Sequence, residues 1–396
     1  MAPAPGRSWA QTSWQLLVDY PLEVLLVAFP VALAARYFEI GDVWIFVASG
    51  LAVIPLAGLM GRATEALAAT LGTGIGGLLN ATFGNAAELI IALVALWKGP
   101  QMYPLVKASI TGSIIGNVLL VLGLAIAAGG MRHKFQRFNR TAASMGATLL
   151  TLATVGLIMP TLYYYVFSAE SPLEAKQFAT VEFLSEEIAA VLAGVYALSL
   201  VFMFVTHRNL FDVTEHDAAG QTVQVEREHE PHWSRRTALL VLLLATAGVA
   251  VVAEMLVGSV EAAAHELGMS RVFVGVIVVA IVGNAAEHST AVLMAMKNKM
   301  DLAVNIAVGS GIQIALFVAP VLVFASMAMG HERPMDLHFT PMEIVAVAIA
   351  ILVLAQVADD GESHWLEGIM LLAVYAILAL AFYHLGEMAP LEGAPQ

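Results

Sequence analysis

Glu88 and Glu287 each close the same five-residue string, Gly-Asn-Ala-Ala-Glu, which the chain carries at 84–88 and again at 283–287. Both copies sit in long apolar stretches. A carboxylate in the middle of a membrane helix costs on the order of 3 kcal/mol even on the gentlest scales, so it faces a cavity or a partner. Two carboxylates with neutral oxygens around them suit a hard divalent cation, and calcium accepts an irregular shell of about six to eight oxygens. Two isolated core carboxylates, each protonated and hydrogen-bonded, would be the plainer reading. Chance repetition of a string containing both Asn and Glu weighs against it.

The neighbouring polar residues fit the same chemistry. Asn85 and Asn284 stand three residues before their glutamates, on the same helical face, where they can supply amide oxygens. A small polar patch follows each glutamate: Gly112-Ser113-Ile114-Ile115-Gly116-Asn117 in the first half and Gly309-Ser310-Gly311-Ile312-Gln313 in the second. Ser113, Asn117, Ser310 and Gln313 are expected to be ligands or the donors that hold the glutamates, the alternative being ordinary interhelical hydrogen bonds. Gly74, Gly76, Gly77, Asn80 and Gly84 crowd the first motif and are expected to loosen its helix. Backbone freed at membrane depth is tolerated only where it lines a cavity.

A further acidic pair stands in a looser echo, Ala63-Thr64-Glu65-Ala66-Leu67 against Val252-Ala253-Glu254-Met255-Leu256. One carboxylate near each mouth is what a proton path serving both sides needs, so Glu65 and Glu254 are expected to couple protons. His288 follows Glu287 where the first half has Leu89. Its imidazole could sense or relay protons, although adjacent residues do not share a helix face.

The elements that must hold these residues are membrane helices. Of 396 residues 59% are hydrophobic and 12% charged, with mean hydropathy +0.81. A soluble domain carries about a quarter charged residues. Apolar stretches repeatedly reach the roughly 20 residues that a bilayer core demands. Spans are expected at 21–37, 42–71, 73–97, 102–128, 141–165, 178–206, 235–260, 270–296, 299–326, 340–358 and 364–385. The absence of cysteine excludes disulfides, thiolate metal sites and cysteine nucleophiles. A net charge of −13 argues against nucleic acid. The first fifteen residues have no signal-peptide pattern. Gly72 to Gly77 fits a dinucleotide fingerprint but follows no strand, and His265-Glu266 lacks the second histidine of a metalloprotease helix.

The repeat sets the architecture: an all-α integral membrane protein of about 11 transmembrane helices, one N-terminal helix plus two inverted five-helix repeats. Five is odd, so the second copy enters the membrane from the opposite side, as in many secondary transporters with a site near the midplane. The expected organisation is an N-terminal segment and first helix (1–41), the first repeat (42–207), an acidic linker (208–233) and the second repeat (234–396). With the N-terminus in the cytoplasm, twelve of the 18 basic residues fall on the cytoplasmic side, among them Arg62, Arg132, Lys134, Arg235, Lys297 and Lys299.

Taken together, the paired GNAAE strings, GNAAEH at 283–288, the run from Gly309 to Pro320 and GSIIGNVLLVLG at 112–123 resemble the calcium/proton antiporters of the cation exchanger superfamily. The resemblance spans about residues 22–385. It implies that family's fold, and it implies that Glu88 and Glu287 bind the cation and exchange it for protons, with Asn85, Asn284 and Gln313 nearby. It implies no cofactor, Ca²⁺ or Mn²⁺ as cargo, protons and the lipid bilayer as the other partners, and a multi-pass protein of the plasma membrane. An oligomer is left open. Sodium-coupled exchange on the same fold, a passive cation channel and an intramembrane hydrolase are the alternatives, and for the last no nucleophile–base pair is found.

Overall fold

A computed structural model describes residues 21–71, 73–168, 175–207, 214–216, 222–224 and 233–388. Among these residues eight helices are long and apolar enough to cross a membrane. They are α2 (Asp42–Leu71), α5 (Pro100–Arg132), α6 (Arg140–Phe167), α7 (Ala179–Thr206), α8 (Arg235–Glu266), α9 (Arg271–Met296), α10 (Met300–Ala328) and α12 (Trp365–Leu385). A further span is a pair, α3 (Thr73–Phe83) and α4 (Ala86–Trp97), bent by 44° at their junction. Two shorter apolar helices, α1 (Val24–Tyr37) and α11 (Pro341–Val357), bring the apolar helical segments among the described residues to eleven. The strands are two short pairs, β1 (Gln136–Arg137) with β4 (Glu362–Ser363) and β2 (Thr214–His216) with β3 (Thr222–Gln224). The latter pair is the described part of the expected linker; its other acidic residues lie outside the described residues.

Helix starts follow local chemistry. Ser234 accepts from Thr237 N–H to open α8, and Ser270 accepts from Phe273 N–H to open α9. Thr340 and Glu343 form a reciprocal capping box on α11. Each pairing satisfies backbone N–H groups that the first helical turn leaves without partners.

The repeats interlock around two central helices. In their most apolar windows α5 is 78% buried and α10 67%, against 17% for α7. The first repeat's α5 and the second repeat's α10 are thus the most buried spans, and α7 is the most exposed. Helices α2 and α8, which open the two repeats, pack along one another through small residues: Ala52, Val53 and Ala63 on one, Ala245, Val249 and Ala253 on the other, all buried. Small side chains let the backbones approach, which is how helices associate without a hydrophobic drive in lipid.

Two loops fasten the halves reciprocally. The loop between α5 and α6 grips the α9–α10 turn: Gln136 Nε2 donates to Ala295 O at 2.8 Å and Asn298 Oδ1 at 3.1 Å, and Asn139 N–H donates to Asp301. The loop between α10 and α11 grips the α4–α5 region: Tyr103 Oη donates to Arg333 O at 3.0 Å, while Lys107 donates to the Asp336 carboxylate and to His338 O. Hydroxyls on neighbouring helices serve the backbone of that second loop, Ser185 for Leu337 N–H and Thr161 for Phe339 N–H, both at 3.0 Å. A loop buried this deeply must have its polar backbone satisfied.

Candidate cation site

The two glutamates reach into each other's halves. A Cβ placed on Gly283 would lie 3.1 Å from Glu88 Cγ and 3.5 Å from its Oε1. One placed on Gly84 would lie 3.6 Å from Glu287 Oε1 and 3.1 Å from Gln313 Oε1. Gly283 thus makes room for Glu88, and Gly84 for Gln313, with Glu287 in ordinary contact beside it. This crossing brings residues 199 positions apart to one place.

They line a cavity of about 370 Å³ between α2, α3, α4, α9 and α10. That is room for roughly ten waters. Glu88, Ser310 and Gly283 are buried at its floor, with Glu287 and Gln313 on the wall. Glu65, Asn80, Thr290 and Asn305 are exposed at its rim, with Arg62 nearby. The rim lies towards the end of the molecule where α2 finishes, and where Arg235 donates to Thr70 O at 2.6 Å. Lys297 and Lys299 in the α9–α10 turn belong to the same end.

Glu88 Oε1 and Glu287 Oε2 are buried without a hydrogen-bond partner. Burying carboxylate oxygens unpaired is costly, and either a bound proton or a cation relieves that cost. Among the described residues no three His, Asp or Glu side chains gather. Two carboxylates with neutral side-chain oxygens from Ser310 and Gln313 line one cavity, a set of oxygens whose chemistry suits a hard cation.

Behind the cavity runs a hydrogen-bond network with approximate two-fold symmetry. Asn85 Oδ1 accepts from Ser310 Oγ at 2.8 Å, and Asn284 Nδ2 donates to Ser113 Oγ at 3.1 Å. Each motif asparagine thus pairs with the serine of the opposite repeat. Asn117 Nδ2 ties the two pairs together through Ser310 Oγ (2.9 Å) and Asn284 Oδ1 (3.3 Å). Asn85 Nδ2 donates to Gln313 Oε1 at 2.7 Å. These residues hold the chains that carry the glutamates, although Asn117 Oδ1 itself is buried without a partner.

The sequence expectations divide accordingly. Glu88, Glu287, Ser310, Gln313 and Glu65 line the cavity, whereas Asn85, Asn284, Ser113 and Asn117 stand behind it in the network. Glu254 does not join them. Its side chain is 63% exposed on α8 and lies 3.6 Å from Arg36 of α1, because α8 turns its small residues to α2 and leaves Glu254 outside. His288 is buried in the stripe Asn284–His288–Ala291–Ala295 and is absent from the cavity wall, as adjacency to Glu287 requires. Asn85 is not within a helix: it caps α4 with φ −99° and ψ 28°, and the break falls at Gly84-Asn85 while 73–83 stays helical despite its glycines. Thr290 and Asn305 were not expected; the signal was an isolated polar residue facing the same way as Glu287 or Ser310.

π-helical turns mark both repeats at matching places. Gly116–Val121 follows Ser113 in α5, and Ile314–Val318 follows Ser310 in α10. Such turns insert a residue into the helix and re-aim what precedes it, and they recur at functional sites.

A helical membrane protein of inverted repeats, with two crossed carboxylates in one cavity, belongs to the cation-exchanging secondary transporters. The sodium/calcium exchanger protein family matches twice, over residues 41–205 and 237–384, and the chain belongs to that family. It is a transporter and not an enzyme. It is 48% identical over 370 residues to a Ca(2+)/H(+) antiporter of Synechocystis sp., covering 91% of this chain and 96% of that one. To the Ca(2+)/H(+) antiporter ChaA of Bacillus subtilis it is 45% identical over 332 residues, 84% of this chain and 89% of the relative. The solved structure of native YfkE superposes with a TM-score of 0.75 at 39% identity, over 92% of this chain and 99% of that chain.

Proposed function

We propose that the protein exchanges cytoplasmic Ca²⁺ for external protons, by alternating access at one site shared by Glu88 and Glu287. The observation that carries this reading is the crossing of the two glutamates into a single cavity, each with a buried oxygen lacking a partner. Ionised, the pair binds the divalent cation; protonated, it releases it. One site cannot hold both cargoes, and that exclusivity couples the flows. Ser310 and Gln313 complete the shell, Asn85, Asn284, Ser113 and Asn117 orient it, and Glu65 at the rim passes protons and attracts cations. The names of the relatives from Synechocystis and Bacillus subtilis support the same pair of ions.

The division into residues 1–41, two repeats at 42–207 and 234–396 and an acidic linker at 208–233 belongs to this reading. So does a plasma-membrane location with the N-terminus in the cytoplasm, which the distribution of basic residues favours. In that orientation the cavity opens to the cytoplasm. The test is ion flux in proteoliposomes under an imposed pH gradient, comparing Ca²⁺, Mn²⁺ and Na⁺. Ca²⁺ uptake driven by the gradient is expected, together with Ca²⁺ binding that weakens as pH falls from about 9 to about 5, because each proton bound removes charge the cation needs. Flux that a sodium gradient drives and a pH gradient does not would overturn the ion assignment. Binding flat across that range would mean protons travel separately.

A further inference from the structure

Two tyrosines occupy matching places in the repeats. Val195-Tyr196-Ala197 lies in α7, the last helix of the first repeat, and Val374-Tyr375-Ala376 lies in α12, the last helix of the second. Both rings are buried. Tyr196 Oη donates to Ala81 O at 2.8 Å, and its ring stacks on Phe317 of α10 at 5.4 Å. Tyr375 Oη is buried with no partner.

The carbonyl that Tyr196 holds has its own counterpart. Ala81 precedes Gly84-Asn85 by the interval at which Ala280 precedes Gly283-Asn284. In the second repeat the helix is continuous, and Asn284 Nδ2 donates to Ala280 O at 2.9 Å. In the first the helix is broken, and the Asn85 amide has turned to Gln313 Oε1 instead. Tyr196 supplies Ala81 O with a side-chain donor in place of that amide. A buried carbonyl deprived of its donor is costly, so the Tyr196 hydroxyl stabilises the broken form of this span. In the second repeat Ala280 O already accepts from its own asparagine, and Tyr375 Oη is left without a partner.

From this we infer that Tyr196 and Tyr375 are positioning residues that take turns. Tyr196 latches the break at Gly84-Asn85 while the cavity is open at the end bearing Lys297 and Lys299. Tyr375 latches the corresponding break at Gly283-Asn284 when the cavity opens at the opposite end. The inference rests on the alternating-access reading above and adds the hydroxyls that hold each state.

The chain has no native cysteine, so a single one reports cleanly. Leu302→Cys places a thiol on the cavity wall, to be labelled by a membrane-impermeant reagent applied from the Lys297 end. Tyr196→Phe in that background is expected to slow labelling about fivefold, the shift in a two-state ratio that loss of one hydrogen bond produces. Tyr375→Phe is expected not to slow it, and the double variant is expected to label faster than Tyr196→Phe alone. Labelling indifferent to Tyr196→Phe, or slowed equally by both single variants, overturns the latch; equal slowing is what a packing or folding defect would give. Ca²⁺/H⁺ exchange by the unaltered protein is measured alongside. Exchange intact with labelling indifferent to Tyr196 sinks the latch alone. Exchange absent with labelling shifted as expected sinks the ion assignment and leaves the latch standing.

Discussion

At Gly84-Asn85 the first copy of the shared motif interrupts its helix and the chain turns by 44°; at Gly283-Asn284 the second copy runs straight on through α9. The five residues are the same. What differs is their surroundings: α3 begins the interrupted span with glycines at 74, 76 and 77, whereas α9 begins its span with Val274–Val279 wound as a π-turn. Glycines lower the cost of leaving the helix, and a run of valines stiffens one. The comparison teaches that one motif can sit in two backbone forms within one molecule. The site is assembled from one copy of each.

The largest expected effect tests where the two halves are alike. Glu88→Gln and Glu287→Gln should each lower Ca²⁺ flux by more than about 100-fold while leaving a folded protein, since the amide keeps the shape and loses the charge. Retained flux in either variant would separate that glutamate from the site. Next in size, Gly283→Ala presses a methyl group on Glu88 Cγ at 3.1 Å and Gly84→Ala presses one on Gln313 Oε1 at 3.1 Å, and Ca²⁺ affinity is expected to fall at least about tenfold in both. Gly84→Ala should be the worse, because its Cβ also meets Asn80 O at 2.9 Å. Equal affinities in titrations of the two would say that the break contributes nothing to the geometry.

Glu65 and Glu254 break the symmetry differently. Glu65→Gln is expected to slow Ca²⁺ uptake roughly threefold, most visibly at low salt, by removing a negative charge from the cavity rim. Glu254→Gln, which severs only the exposed contact with Arg36, should leave uptake rate and its pH profile unchanged. A changed profile in the latter would return Glu254 to the proton path.

The smallest effect concerns the loop between α10 and α11. Burial, and after it the Lys107 ammonium, pushes the His338 imidazole down to about 4, with Asp336 pulling the other way. The folded loop thus holds the neutral ring, stacked on Tyr164 at 3.9 Å. Its contribution to stability is complete above the ordinary histidine value near 6.5 and is lost as pH falls from there to about 4. His338→Phe keeps the stack and abolishes the titration, so its melting temperature should fall less on acidification, by about 2 °C.

Much of this was legible in the sequence because membranes make few compromises. Eleven apolar stretches predict eleven apolar helical segments, and a doubled GNAAE string predicts that Glu88 and Glu287 meet. The break at Gly84-Asn85 was not legible in its position. Glycines at 74–77 point to a looser helix, but which peptide gives way depends on what receives the freed carbonyl, and Tyr196 is 115 residues away. The role of Asn117 was equally hidden: a polar residue in a buried helix has a partner, and sequence does not say whether that partner is a cation or Ser310. The echo around Glu254 is real in spacing, but sequence does not show that α8 packs through a different stripe and leaves this side chain outside the cavity beside Arg36.

The reciprocal loops carry a consequence for how the protein is made. The turn between α9 and α10 is held by a loop synthesised about 160 residues earlier, and the α4–α5 region by one synthesised about 230 residues later. A nascent first repeat in the translocation channel therefore has neither its clasp nor the thing it is meant to clasp. Native packing waits for Arg333 to Phe339 to emerge, so the first half must survive in the bilayer as separate apolar helices until translation is nearly over. Chains normally settle domain by domain from the N-terminus. Here the two halves mature together or not at all, and a truncated message yields no working half.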